Sequence, residues 1–177
     1  MHLPNPENLL ADITAQIKAQ LKPNSALIGI HSGGVWLMNR ILQSMAQDST
    51  NTSTQFGPVQ FGTLDAALYR DDYNQRGLKS ESKPSNIAFD VQDKHIILID
   101  DIFYTGRTTR AAMNELFDYG RPASITLAVL INRGGAELPI APQIVGAKIL
   151  LNANQNLQLS QDSQGKLQLN LESNSHV

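Results

Sequence analysis

Three short stretches of this chain, Ala26–His31, His95–Ile99 and Ser124–Asn132, are apolar at nearly every interior position rather than at every second one. A strand built that way has two faces to hide, so both sides of its sheet must be covered. Helical periods lie between and before these stretches. Leu9, Leu10, Ile13, Ile17 and Leu21 follow the opening Pro6–Glu7 at helical spacing until Pro23. Leu37, Met38, Ile41, Leu42 and Met45 mark a helix over Val35–Ala46, and a third is predicted from about Thr108 to Tyr119, before the breaker Gly120-Arg121-Pro122. Val59–Tyr69 adds a further strand. Buried strands alternating with helices predict an α/β fold, a mostly parallel sheet with helices on both faces. Ligands of such sheets bind beyond the carboxyl ends of the strands. The glycine-containing turns after Ile30 and after Ile99 both stand at such ends, placed to face one site.

A length of 177 residues suits a single domain spanning 1–177. Its last part, 150–177, is predicted as a hairpin and tail: Asn156–Leu159 and Lys166–Leu171 alternate with period two around Asp162-Ser163-Gln164-Gly165. Gln47–Gln55 reads as a loop. The charged and polar stretch 70–86 is too long for a plain connection, and reads either as a mobile lid or as a surface loop without a role. The chain has no cysteine, which excludes disulfides, thiolate metal sites and a catalytic thiol. A formal net charge of -2 supplies no general basic field for nucleic acid. No basic-then-apolar leader opens the chain, and no apolar run approaches the ~20 residues of a membrane span. A cytoplasmic protein without a membrane partner is the expectation.

The chemistry concentrates where the second apolar stretch ends. Asp100 and Asp101 are followed by Ile102-Phe103-Tyr104-Thr105-Gly106-Arg107-Thr108-Thr109 and then a helix. Ionised carboxylates accept hydrogen bonds, so the pair suits neighbouring sugar hydroxyls and can help hold Mg²⁺. The Thr/Gly turn offers backbone N–H groups and hydroxyls at a helix N-terminus, which is an anion site. The plainer reading is that the two aspartates only cap the helix. At the strand end, the turn is expected to bring both carboxylates toward the ligand. No Gly-x-x-x-x-Gly-Lys-Ser/Thr loop and no Gly-x-Gly-x-x-Gly turn follows the first strand.

The segment Ile96–Thr109 resembles the phosphoribosyl-pyrophosphate (PRPP) motif of the type I phosphoribosyltransferases. Gly29–Val35, Leu64–Asp72, Gly120–Pro122 and Asn132–Ile140 narrow the resemblance to the PyrR group, pyrimidine-operon regulators that are also uracil phosphoribosyltransferases. The resemblance implies a type I phosphoribosyltransferase-like fold and synthesis of UMP and pyrophosphate from uracil and PRPP with Mg²⁺. It places Asp100 and Asp101 on the ribose hydroxyls, with possible Mg²⁺ contact directly or through water or ribose, and the loop Ile102–Thr109 on the 5′-phosphate. Ser32, Gly33 and Gly34 fall on the pyrophosphate loop, Arg70 on pyrophosphate charge, and Arg133 on the nucleotide near the base. It further implies a homodimer or higher homo-oligomer, with pyrimidine-leader RNA as a partner of the regulatory role.

Two places depart from the group. The first turn reads His31-Ser32-Gly33-Gly34, without the Arg many members carry there, which removes a charge-assisted partner for pyrophosphate. His31 is read as a hydrogen-bonded structural residue or, when protonated, as a substitute charge. Gly134–Glu137 and Ala141–Gln143 lack basic residues found in other members, and RNA binding leans on such residues. Arg107, Arg110 and Arg121 line an RNA edge or are ordinary helix-end residues. Trp36 is expected to pack a helix on the sheet. The alternatives to a uracil enzyme are a UMP-sensing, RNA-binding attenuator with weak or no catalysis, and a phosphoribosyltransferase for another base.

Overall fold

A computed structural model describes residues 3–48, 58–66, 84–152 and 154–173. Helix α1 (Pro6–Gln20) leads to β1 (Ser25–Ile30), α2 (Gly33–Asp48), β2 (Gln60–Leu64), β3 (His95–Phe103), α3 (Arg107–Asp118), β4 (Ser124–Asn132), β5 (Ile144–Lys148), β6 (Gln155–Gln161) and β7 (Leu167–Ser173). Strands β1–β5 form one sheet in the order β2-β1-β3-β4-β5. Every pairing in it is parallel.

Alternation along the central strands explains both layers. Leu27, Ile97 and Ile99 face one side, where Leu9, Leu10, Ile13 and Ile17 of α1 and Leu37, Met38 and Ile41 of α2 cover them. Ala26, Ile28, Ile96 and Leu98 face the other, against Ala111, Ala112 and Leu116 of α3. This is the two-period pattern of a strand apolar on both faces. Trp36 packs against the α1/α2 side. Helix α1 starts as its sequence suggests: Pro6 sits at its first turn and Asn5 caps it, accepting the Glu7 N–H at 2.9 Å.

The strand order reverses between β1 and β3, since β2 lies on one side of β1 and β4 and β5 continue beyond β3. Helix α2 follows β1 on one face and α3 follows β3 on the other. Such a reversal opens a crevice at the carboxyl ends of the two strands, where neighbouring connections part to opposite faces.

Strands β6 and β7 form a separate antiparallel hairpin. Its Leu157, Leu159 and Leu167 are buried against the α1/α2 side of the core. The turn is closed by Asp162, whose Oδ1 accepts the N–H groups of Gln164 and Lys166 at 2.9 Å each. Glu7 of α1 pins the hairpin's return strand: Oε1 accepts the Leu167 N–H at 2.9 Å, and Oε2 pairs with Arg40 Nη2 of α2 at 2.6 Å.

Several element bounds differ from the sequence reading. Helix α2 begins at Gly33, inside the predicted glycine turn, and α3 begins at Arg107. Strand β2 is the shorter Gln60–Leu64. The rest of the Gln47–Gln55 loop beyond α2, the far end of the predicted Val59–Tyr69 strand, and residues 70–83 of the expected lid, Arg70 included, lie outside the described residues. On the return side Asn86 bridges Thr63, with mutual N–H···O bonds of 2.9 and 2.8 Å. There Ser85 Oγ accepts the Asp65 N–H at 2.9 Å and donates to Glu115 of α3.

Candidate active site

Strand β3 outruns its neighbour. Its last partner on β1 is Gly29, opposite Ile99, while on β4 it stays paired as far as Phe103 and Asn132. Asp100 and Asp101 therefore lie where one flank of the strand is still held and the other has opened. The expected turn does not fall at the acid pair, because β3 continues through it as far as Phe103. The two-face alternation slips there: Ile99 and Ile102 both pack on the α1/α2 side and Phe103 on the α3 side. Asp101 is half-buried and leans on α2: a Cβ on Gly33 would collide with its carboxylate. Asp100 is 3% exposed, and its Oδ1 accepts the Asp101 N–H at 2.9 Å. The plain capping role for the aspartates is also set aside, because Gly106 is the residue preceding α3 and no side chain caps it.

Two helix N-termini border this acid pair. After β1 the chain turns at His31, whose N–H donates to Leu64 O at 2.9 Å, and Ser32 O accepts the Trp36 N–H at 3.2 Å as α2 begins. The His31–Ser32 peptide bond is cis. Gly33 and Gly34 are required by packing. A side chain on Gly34 would strike the Ile99 carbonyl, as one on Gly33 would strike Asp101. After β3, Gly106 adopts φ 91°, a left-handed conformation that glycine takes without strain. Thr105 Oγ1 accepts the Arg107 N–H at 3.3 Å, and the Thr105 and Thr109 side chains are buried in the turn. Neither α2 nor α3 has an acidic residue in its first turn. The helix dipoles at both ends favour anions.

The fold and this arrangement meet the comparisons with known proteins. A phosphoribosyl transferase domain model matches residues 2–164. A bifunctional protein PyrR of Pseudomonas fluorescens is 43% identical over 173 residues, covering 96% of this chain and 97% of its own length. The chain belongs to the PyrR family of type I phosphoribosyltransferases. A second bifunctional protein PyrR, from Nitrosococcus oceani, is 43% identical over 153 residues, or 86% of this chain and 82% of its own. The hypoxanthine phosphoribosyltransferase of Trypanosoma cruzi superposes with a TM-score of 0.59 at 19% identity, covering 86% of this chain and 83% of its own. That likeness concerns the fold.

Within this family framework the remaining predicted site residues divide. Thr105, Gly106, Thr108 and Thr109 sit in or beside the helix-start turn. Ile102 and Phe103 belong to β3, with Phe103 buried in the α3-side core and Ile102 packed on the other. Tyr104 is 41% exposed, and its ring lies under the Arg133 guanidinium, 4.0 Å from ring centroid to Cζ. Arg133 is turned to the hairpin: its Nη2 donates to Gln155 O at 2.6 Å and Nη1 reaches Asn156 Oδ1 at 3.5 Å. Its Nε is buried with no hydrogen-bond partner. Arg107 is engaged as well, donating from Nε and Nη2 to Glu137 Oε2 at 3.1 and 2.7 Å.

The sequence reading gave no role to Glu137 or Gln155. The signal for the first lay in the register: β3 and β4 run side by side to Phe103 and Asn132, so the segments leaving them stay neighbours.

Among the described residues no group of three or more His, Cys, Asp or Glu could hold a metal. Two carboxylates nonetheless fit Mg²⁺ shared with a phosphorylated ligand, a hard ion that keeps most of its shell in water and phosphate oxygen. No helix of the described residues is long and apolar enough to cross a membrane. A cavity of about 320 Å³ lies at the opposite ends of the strands, lined by Lys22, Ser25, His95, Ser124 and Thr126, away from the acid pair.

Proposed function

We propose that this chain transfers the phosphoribosyl group of PRPP to uracil, forming UMP and pyrophosphate in the cytoplasm. The bond from uracil N1 to the anomeric carbon forms, the bond from that carbon to pyrophosphate oxygen breaks, and the N1 proton leaves. The carrying observation is the pair of helix starts after β1 and β3, neither with an acidic residue in its own first turn, that accompany Asp100 and Asp101. A ligand with a phosphate at each end of a sugar diol matches that order of charges.

In this reading Asp100 and Asp101 accept hydrogen bonds from the ribose hydroxyls and orient the anomeric carbon. Thr105, Gly106, Thr108 and Thr109, with the Arg107 backbone, hold the 5′-phosphate at the start of α3. Ser32, Gly33 and Gly34 receive pyrophosphate at the start of α2, and Arg70 adds charge to the leaving group. Asp100 and Asp101 would hold Mg²⁺ brought in with PRPP, which when bound would supply charge neutralisation for the diphosphate. Arg133 contributes beside the base through the Tyr104 stack. The family resemblance adds assembly as a homodimer or larger homo-oligomer, which light scattering would read.

A pyrimidine regulatory role fits the same pocket as a UMP sensor. Charge argues against RNA contact at the segment after β4: it carries Glu137 and no Lys or Arg from Gly134 to Gln143, and Arg107 is paired. The test is pyrophosphate release from PRPP and Mg²⁺ with each of several bases. Release with uracil and little with purines is expected. Release with a purine alone would refute the base assignment. No release with any base, alongside tight, salt-sensitive binding of a pyrimidine-leader transcript, would establish the regulator instead.

A further inference from the structure

The segment leaving β4 wraps the outside of the phosphate turn. Glu137 N–H donates to Thr105 O at 2.9 Å, and Arg133 N–H donates to Phe103 O at 2.9 Å. Leu138 and Ile140 side chains lie against Gly106. Against this frame the Arg107 guanidinium donates two hydrogen bonds to one carboxylate oxygen of Glu137. The arrangement brings an acid to a helix start that has none of its own.

From this geometry we infer that Glu137 sets the affinity of the turn for a 5′-phosphate by holding Arg107, and that a bound phosphate dianion takes Arg107 from it. The inference rests on the phosphate-binding reading of Thr105–Thr109. The exchange is favourable because the two partners differ. The side chains of Arg107 and Glu137 are 48% and 52% exposed, and ion pairs that open to water are weak. A phosphate carries more charge and more acceptor oxygens, which the planar guanidinium fork matches. The other arginines around the turn fit this role less well. Arg133 is committed to Gln155 O and the Tyr104 ring. Arg110 is exposed one turn further along α3. Glu137 is thus a positioning residue that tunes charge.

Calorimetric titration of the full chain with ribose 5-phosphate and with UMP tests this. Glu137→Gln removes the charge but keeps the backbone bond to Thr105 O and an oxygen able to accept from Arg107. It should tighten both ligands about 1.5- to fivefold, the worth of releasing an exposed ion pair. The gain should vanish when Arg107→Gln is also present, and the KM for PRPP should fall more than kcat changes. In the unaltered protein the Arg107 Nε–H resonance should shift on adding ribose 5-phosphate. Unchanged or weaker binding by Glu137→Gln, an undiminished gain without Arg107, or a static resonance would overturn the inference. Binding of ribose 5-phosphate without these effects defeats only the role of Glu137, whereas failure of the unaltered protein to bind either ligand defeats the phosphate-site reading with it.

Discussion

The adjacent glycines at the start of α2 give a prediction in which one position reports on binding and its neighbour on stability. An alanine Cβ at residue 33 would meet the Asp101 side chain, its Cβ at 2.7 Å and the carboxylate closer still. Carbon atoms in contact normally sit about 3.5–4.0 Å apart. The carboxylate can swing away, but the Asp101 Cβ is held by the strand, so the helix start must also move by several tenths of an ångström. At residue 34 the added carbon would strike the Ile99 carbonyl, with Ile99 C at 3.0 Å and Asp100 Cα at 3.1 Å, and strand backbone cannot swing aside. Overpacking of that kind costs about 1–3 kcal/mol, offset by about 0.5–1 kcal/mol from replacing glycine in a helix. Gly34→Ala should therefore lose roughly 1–2 kcal/mol, a fall in Tm of about 2–8 °C for a chain of this size. Gly33→Ala should lose less stability than Gly34→Ala, yet bind UMP at least ~10-fold more weakly, or about 1.4 kcal/mol, because Asp101 is displaced. Urea unfolding and calorimetric titration read the two quantities separately. A Gly33→Ala protein that binds UMP normally would refute the placement of Asp101, and an undiminished Gly34→Ala protein would refute the packing argument.

Two other outcomes follow from contacts outside the turn. Burial alone would raise the Glu7 carboxyl, but the Leu167 N–H bond and Arg40 outweigh it and hold it below its ordinary value. A lowered folded-state pKa stabilises above the unfolded value of about 4.3 and is lost as pH falls through the folded value. Glu7→Gln should then cost about 0.5–1 kcal/mol at pH 7 and less below about pH 4, and an equal cost at pH 7 and pH 3 in urea unfolding would reject the linkage. Arg133→Leu leaves the Gln155 carbonyl without its 2.6 Å donor and the Tyr104 ring without its cation. It should cost about 1–3 kcal/mol and speed hydrogen exchange at the start of β6, whereas unchanged protection there would show the bond to be dispensable.

The sheet was legible because β1, β3 and β4 are apolar on both faces, a pattern that few other environments tolerate. The hairpin was legible because Leu157, Leu159, Leu167, Leu169 and Leu171 alternate with polar residues around a turn. Gly33-Gly34 read as a turn but open α2: both let the helix start pack closely on β3, and nothing local distinguishes a glycine that bends the chain from one that lets another backbone approach. The acid pair was found by type and place, but its geometry turned on strand pairing, since β3 is held by β4 beyond the point where β1 leaves it. Arg107 with Glu137 and Arg133 with Gln155 are separated by 30 and 22 positions. Only the parallel register of β3 and β4 and the docking of the hairpin bring them together, and neither leaves a periodic trace.

The central claim is that Asp100 and Asp101 hold the sugar between two phosphate-binding helix starts. Its most direct test is uracil-dependent pyrophosphate release by the parent protein and by the Asp100→Asn, Asp101→Asn double variant, with unfolding measured in parallel. The expected result is turnover by the parent, its loss by at least about a hundredfold in a variant that still folds, and retained weak binding of inorganic phosphate, since single transition-state contacts of this kind are worth about 10²–10³ in rate. Turnover by the folded variant close to that of the parent would contradict the account.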